Sequence, residues 1–524
     1  MTDVGSSLSV LVRAAAQERA DAPAVSAGEE RLSWGELDAQ VDRAAAGYTA
    51  RGLTPGERVA VQLPNGVDWL RATLGALRAG LVVVPVNTAY TDPELEYLLT
   101  DSGASLLVAA GDRPPVAGVP VIAGPPADDA PPPAVPEGVG RDPGTAPAFL
   151  SYTSGTTGRP RGAMLSAAAL RANQEQCLRM DPPPVRPDDR VLLVLPLFHV
   201  YGLNAGFGLV AATGACAVLA ESFDPAGSLE VMAREEVTAV LGAPPVFQAW
   251  LAVADAAGSD ALLRRAFAAV RIATSGAAPL PEEVWTAMRE RAAVTVWEGY
   301  GLTEACPVVA STLATGRAKP HCIGGPIPGV ELQLRDTALH EPVEGDEVST
   351  SGDLAEDGPG EIWVRGANLF SGYWPDGVDG PDAEGWLATG DLAYADEDGD
   401  LHLVDRRSDL ILVSGFNVYP AEVERVLDAH PAVAESAVIG VPDPQTGAAV
   451  RAVVALRPGR QLGFEELREH AAASLARYKV PTSVHVLGAL PHSLIGKVSR
   501  ARLRELGLAR AEEEPTASGG DRDR

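Results

Sequence analysis

The chain has 524 residues, more than one hydrophobic core ordinarily serves, so more than one domain is expected. With 46% apolar and 21% charged residues, it reads as a packed globular protein rather than a disordered one. Seventy acidic against 42 basic residues give a net charge of −28, which repels phosphate backbones and anionic lipid and argues against nucleic acid or membrane surfaces as general partners.

The opening "MTDVGSSLSVLVRAAAQERADAP" lacks a cationic start, apolar core and cleavage site, so export is not indicated and a cytoplasmic location is expected. "LSWGELDAQVDRAAAGYTARGL" has helical apolar spacing, with Gly52 where a C-terminal cap would stand. "RVAVQL" and "GLVVVPVN" read as buried strands. "TDPELEYLLTDSG" predicts a helix with Thr91 as N-cap, Glu94 three positions on and Pro93 in the first turn. Residues 114–146 are rich in Pro, Gly and Ala and read as a loop ending before the strand "PAFLSYT".

That strand runs into "YTSGTTGRPRG", Tyr152 to Gly162, and a helix-like "LSAAALRANQEQ" follows. The small, hydroxylated run is either a linker or a loop whose N–H groups and hydroxyls wrap a polyphosphate. The preceding strand and the following Arg159 and Arg161 favour phosphate binding. The GxxxxGK[ST] pattern is not matched.

Residues 191–220 carry no Asp, Glu, Lys or Arg, a length that would suit a membrane span. Pro196, His199, Asn204 and several glycines interrupt the run, so a buried strand–helix–strand unit is expected instead. The same alternation returns in "SLEVMAREEVTAVLGA" and "PEEVWTAMRERAAVTVWEGY", which predicts α/β layers with largely parallel sheets.

An acidic irregular stretch, 340–358, precedes the strand-like "EIWVRG". Beyond "LHLVDRRSDLILVSG" the pattern becomes helix, two strands, helix and strand, a small α+β module, and a charged tail predicted to be disordered ends the chain. Cys177, Cys216, Cys306 and Cys322 show no metal-like spacing and read as reduced structural thiols.

From the phosphate loop onward, the chain resembles the adenylate-forming (AMP-binding) superfamily, in its acyl-CoA synthetase branch. Along with "YTSGTTGRPRG", the resemblance rests on "PLFHVYG" (196–202), "SGAAPL" (275–280), "EGYGLTEA" (298–305), "GEIWVRG" (360–366), "TGD" (389–391), "DRRSDLILVSGFNVYP" (405–420) and "LPHSLIGKVSR" (490–500), in the family's order.

The resemblance implies a large N-terminal domain over 1–404 with layered α/β sheets and a distorted β-barrel subdomain. A hinge at 405–410, a small mobile C-terminal α+β domain over 411–508 and a disordered tail at 509–524 would complete it. It implies adenylation of a carboxylic acid by ATP with release of pyrophosphate, then transfer of the acyl group to coenzyme A. Making the acid a mixed anhydride supplies AMP as a leaving group that oxide cannot match. Joining two anions requires neutralised charge and an aligned attack.

By the same resemblance, Thr153, Ser154, Gly155, Thr156, Thr157, Gly158 and Arg161 would hold the phosphates. Glu304 would ligate Mg²⁺, a hard cation that prefers carboxylate and phosphate oxygens, with Thr156 as a possible second ligand. Thr303 would meet the α-phosphate. Gly276, Ala277, Ala278 and Pro279 would wall the adenine, with Glu298, Gly299, Tyr300 and Gly301 opposite, Tyr300 stacking on the base. Asp391 and Arg406 would take the ribose hydroxyls. Lys497, the catalytic lysine of the family, would lie between the acid and the α-phosphate and enter by domain closure. His199 would gate the acyl pocket, with Val200, Tyr201, Pro245, Ser275, Gly276 and Gly301 around it. Ser414, Gly415 and Phe416 would face coenzyme A.

The chain departs from the family at three places. The usual phosphate-loop lysine is Arg161, a planar fork in place of a point charge. The hinge position, usually Asp or Lys, is Ser408. The acidic stretch is longer than usual. No basic residue stands in "EGYGLTEA", where some malonate-activating relatives carry arginine, which favours a monocarboxylic fatty or aryl acid. An unusual oxyacid such as nitrite, a carrier-protein or amine acceptor, and a non-catalytic acyl-nucleotide binder stay open as alternatives.

Overall fold

The computed structural model describes residues 7–128, 146–153, 160–335, 359–406, 409–413, 416–443, 446–492, 498–506 and 508. The chain divides into two compact units, residues 1–389 with 394–402, and residues 390–393 with 403–524.

The first unit holds two large sheets. One has nine strands, ordered Gly325–Pro326, Val308–Ser311, Val296–Gly301, Ile272–Ser275, Ala239–Gly242, Arg190–Leu193, Cys216–Leu219, Pro23–Ala27 and Glu30–Ser33. The run from Val296–Gly301 to Pro23–Ala27 is parallel, as expected for strands fed by crossover helices. Leu192, Val240, Ala273 and Val296 pack from this sheet against Phe247, Trp250 and Met288 of the covering helices. Trp250 is fully buried yet donates from Nε1 to Ser228 Oγ at 2.8 Å, which satisfies its one polar atom.

The other large sheet has six strands, ordered Val121–Ala123, Ala104–Ala109, Arg58–Gln62, Val82–Pro85, Pro147–Thr153 and Arg161–Ser166. The helix Asp92–Ser102 begins as its sequence predicts, with Glu94 Oε2 accepting from Thr91 N at 2.7 Å, and Gly103 closes it at φ +60°. A smaller four-stranded sheet runs Val330–Arg335, Gly360–Gly366, Trp386–Ala395, Leu401–Arg406.

One local expectation is corrected. The loop expected over 114–146 contains the strand Val121–Ala123, whose β-branched pair completes a parallel edge beside Leu107–Ala109. The helix expected from "LSAAALRANQEQ" is present as Ala167–Leu178. Before it, Arg161–Ser166 forms a strand antiparallel to Pro147–Thr153, in which Ala163, Met164 and Leu165 are buried. The uncharged run 191–220 is strand–helix–strand as expected, but Tyr201–Gly208 is a π-helix.

The second unit has a hairpin, Val433–Asp443 with Gly447–Leu456, extended in parallel by Ser483–Leu487. The helices Pro420–Asp428 and Phe464–Ala472 cover it, and Val423, Leu427, Val438, Val450, Val454 and Leu467 form its core. Among the described residues, no helix is long and apolar enough to cross a membrane.

Candidate active site

Parallel register gathers motifs that lie far apart in sequence. Val191–Leu193 pairs with Ala239–Leu241, Ala239–Gly242 with Ile272–Ser275, and Ala273–Ser275 with Val296–Glu298. The segments "PLFHVYG", "GAPP", "SGAAP" and "EGYGLTEA" therefore leave one edge of the sheet, at the carboxyl ends of neighbouring strands. In open α/β sheets this is where ligands are bound.

At the expected adenine wall, Ser275 stands opposite Glu298, and Gly276 N donates to Gly242 O at 3.2 Å. Ala277 is held at φ +72°, a left-handed bend that a residue with a Cβ rarely adopts. Ala278 is half-buried beside it, and Pro279 is exposed. The Glu298 carboxylate does not face outward. It is buried and accepts from Leu280 N at 3.1 Å, fastening the wall to the strand. Burial pushes this carboxyl up to about 7, while the Leu280 and His321 N–H groups pull the other way. Gly299 and Tyr300 continue the strand, with Tyr300 buried and opposite Ala310. Gly301 is required by contact: a Cβ there would lie 2.0 Å from Pro307 O.

Around the expected acyl pocket, His199 Nδ1 accepts from Tyr201 N at 3.3 Å, which leaves the proton of the neutral ring on Nε2. The Tyr201 hydroxyl meets Thr274 Oγ1 at 3.5 Å, and its ring closes on Gly276, where a Cβ would lie 3.1 Å away. Burial pushes the Tyr201 phenol up to about 12, so it stays neutral. Val200 is buried, and Pro245 is exposed in the first turn of the helix Pro244–Ala257.

Thr303 and Glu304 sit in a short 3₁₀ turn, Thr303–Ala305. Phe370 N donates to Glu304 O at 2.8 Å, and the Tyr373 hydroxyl donates to Glu304 Oε1 at 2.5 Å. Segment 370–374 is itself strapped to the hairpin strand through Ser371 N to Met164 O, Met164 N to Gly372 O and Trp374 N to Gly162 O. The Thr153 side chain also hydrogen-bonds Tyr373. Thr153 and Arg161 pair across the hairpin, so Glu304 and the two ends of the phosphate loop meet at one tyrosine. Arg161 pairs with Asp379 at 2.8 Å and lies 3.9 Å from the centroid of the Tyr373 ring.

Tyr373 is the residue that sequence reasoning missed. Its only local signal is a Gly-Tyr step, in which Gly372 at φ +91° permits a turn where a Cβ would strike Gly377 O. Ser154, Gly155, Thr156, Thr157, Gly158, Ser408, Ser414, Gly415, Lys497, the acidic stretch 340–358 and the tail 509–524 lie outside the described residues.

In the second unit, Asp391 is buried within the strand Trp386–Ala395, Arg406 ends the strand Leu401–Arg406, and Phe416 opens the strand Phe416–Val418. All four cysteines are buried and free. Asp396, Asp398 and Asp400 of the first unit come together with cations already among them: Lys319 reaches Asp396 and Asp400 at 3.0 Å, and Arg317 reaches Asp400 at 2.8 Å. This is an ion-pair network.

Comparison with known proteins agrees with this arrangement. Residues 12–374 match the model of the AMP-binding enzyme family, and residues 422–497 match the AMP-binding enzyme C-terminal domain. A long-chain-fatty-acid–CoA ligase from Yersinia pestis is 34% identical over 549 residues, covering 95% of this chain and 94% of that one. A feruloyl-CoA synthase from an Amycolatopsis species is 36% identical over 496 residues, covering 92% and 95%. The crystal structure of ATP-bound MatB from Rhodopseudomonas palustris superposes with a TM-score of 0.84 at 30% identity, covering 96% of this chain and 99% of that one. The chain belongs to the AMP-binding enzyme family. Within it, the chain is an AMP-forming acyl-CoA synthetase, which adenylates an acid and then passes the acyl group to coenzyme A.

Proposed function

We propose that the acid is a monocarboxylic one with an apolar fatty or aryl tail. The observation that carries this is the surroundings of Gly276: the neutral Tyr201 ring packs against it, and no Lys or Arg occurs in 196–202, 242–250, 275–280 or 298–305. These segments offer a second carboxylate no cation, and burying one unpaired costs about several kcal/mol. An apolar tail gains instead by leaving water.

In this reading Tyr300 and the wall 276–279 take the adenine, Thr303 the α-phosphate, and His199 with Tyr201 the acyl group. The half-buried Glu304 carboxylate, with the Thr303 hydroxyl beside it, offers the hard oxygen donors that suit Mg²⁺. When bound, that ion neutralises phosphate charge. Lys497 supplies the ammonium that eases the substrate carboxylate toward the α-phosphate.

Acid-dependent exchange of pyrophosphate into ATP, run over acids graded in length, ring content and charge, tests the proposal. Apolar monocarboxylates should show the highest kcat/KM. Preference for a dicarboxylate, or for a tail-less oxyacid such as nitrite, would overturn it.

A further inference from the structure

We propose that Tyr373 is a positioning residue for Glu304 and that Arg161 holds Tyr373 in place. This rests on the reading of Glu304 as a divalent-cation ligand. A glutamate on a short turn has three free side-chain torsions, and a metal ligand works only if they are restrained. Glu304 is restrained from one segment. Phe370 N fixes its backbone oxygen at 2.8 Å, and three residues on the Tyr373 hydroxyl fixes Oε1 at 2.5 Å, leaving Oε2 outside that bond.

Tyr373 is restrained in turn. Its N–H donates to Val378 O at 3.0 Å, its carbonyl accepts from Gly377 N at 2.8 Å, and the Phe370 ring meets it edge-on at 5.0 Å. The Arg161 guanidinium covers the ring at 3.9 Å and is anchored by Asp379 at 2.8 Å. Asp379 is 69% exposed, so that ion pair alone is worth little; the stacked, planar cation is the stronger restraint on the ring. A lysine at 161 would keep the charge but lose both the stacking plane and the fork. Arginine at this position therefore has a use beyond phosphate charge: it joins the exit of the phosphate loop to the carboxylate through one aromatic ring.

The test uses the full chain with Mn²⁺ as the probe cation and α,β-methylene-ATP, which cannot be cleaved at the reacting bond. Mn²⁺ affinity is read from the electron paramagnetic resonance of the free ion, and nucleotide affinity is measured separately without metal. Tyr373→Phe keeps the ring for Arg161 and removes only the hydroxyl. That hydroxyl bonds both Glu304 and Thr153, so the variant should weaken Mn²⁺ by about ten-fold and metal-free nucleotide affinity by clearly less. Turnover should then need more Mg²⁺ but recover its kcat at saturation. Arg161→Lys should shift Mn²⁺ affinity in the same direction by less, and it decides the matter alone if Tyr373→Phe does not fold. Wild-type Mn²⁺ affinity in both variants would overturn the role of Tyr373 while leaving Glu304 as ligand. Wild-type binding that Glu304→Gln does not diminish would overturn the ligand reading and this inference with it.

Discussion

The N–H of Leu280 donates to Glu298 Oε2 at 3.1 Å, so the far end of segment 276–280 is held by a buried carboxyl on the neighbouring strand. Burial raises this acid from 4.5 to about 7. An acid whose folded value is raised binds its proton more tightly when folded, so its stabilising contribution is full below about 4.5 and is lost as pH rises to about 7. The loss is on the order of 3 kcal/mol. Glu298→Gln keeps an acceptor for Leu280 and cannot ionise. Thermal unfolding at pH 5 and pH 8 should show the variant gaining on the wild type at the higher pH only. A difference independent of pH would mean that Glu298 does not titrate in this window.

Gly276 should set the size of acid accepted. Its missing Cβ is the space that the Tyr201 ring fills at 3.1 Å, and on the proposed placement of the acyl group a methyl there would push the ring toward it. Gly276→Ala should lower kcat/KM for long or aromatic acids roughly ten-fold while sparing the shortest ones. A steady-state comparison across three chain lengths checks it, and a uniform loss would place Gly276 outside the acyl pocket.

Gly301→Ala should damage folding rather than catalysis alone. The added Cβ would lie 2.0 Å from a backbone oxygen, which no side-chain rotation can relieve. A loss of about 2 kcal/mol or more is expected, read from chemical denaturation, with a matching fall in nucleotide affinity on the roles proposed above for the nearby Tyr300 and Thr303.

Lys497→Ala should separate the two half-reactions. Adenylation, followed by pyrophosphate exchange, should fall by about 10²–10³-fold. Thiolysis of supplied acyl-adenylate should stay near the wild-type rate. Equal damage to both steps would contradict the division of labour.

Much was readable along the chain because its signals are local. The capping of 92–102 by Thr91 and Glu94, the buried runs 58–62 and 82–85, and the helix–strand–strand order of the second unit each depend on neighbours within a few residues. The ordered motifs, with the carboxylate, aromatic and glycines they carry, likewise identified the family without any coordinates.

Contacts between distant segments were decided only on folding. No local pattern says that 161–166 would pair back on 147–153, since the pairing energy comes from the partner strand. Nor does one say that Ser275 would stand opposite Glu298, or that a tyrosine 69 positions beyond Glu304 would donate to its carboxylate. Parallel register and side-chain approach across a sheet edge arise from the packing of whole layers, and that is where the scattered motifs of the first unit come to one sheet edge.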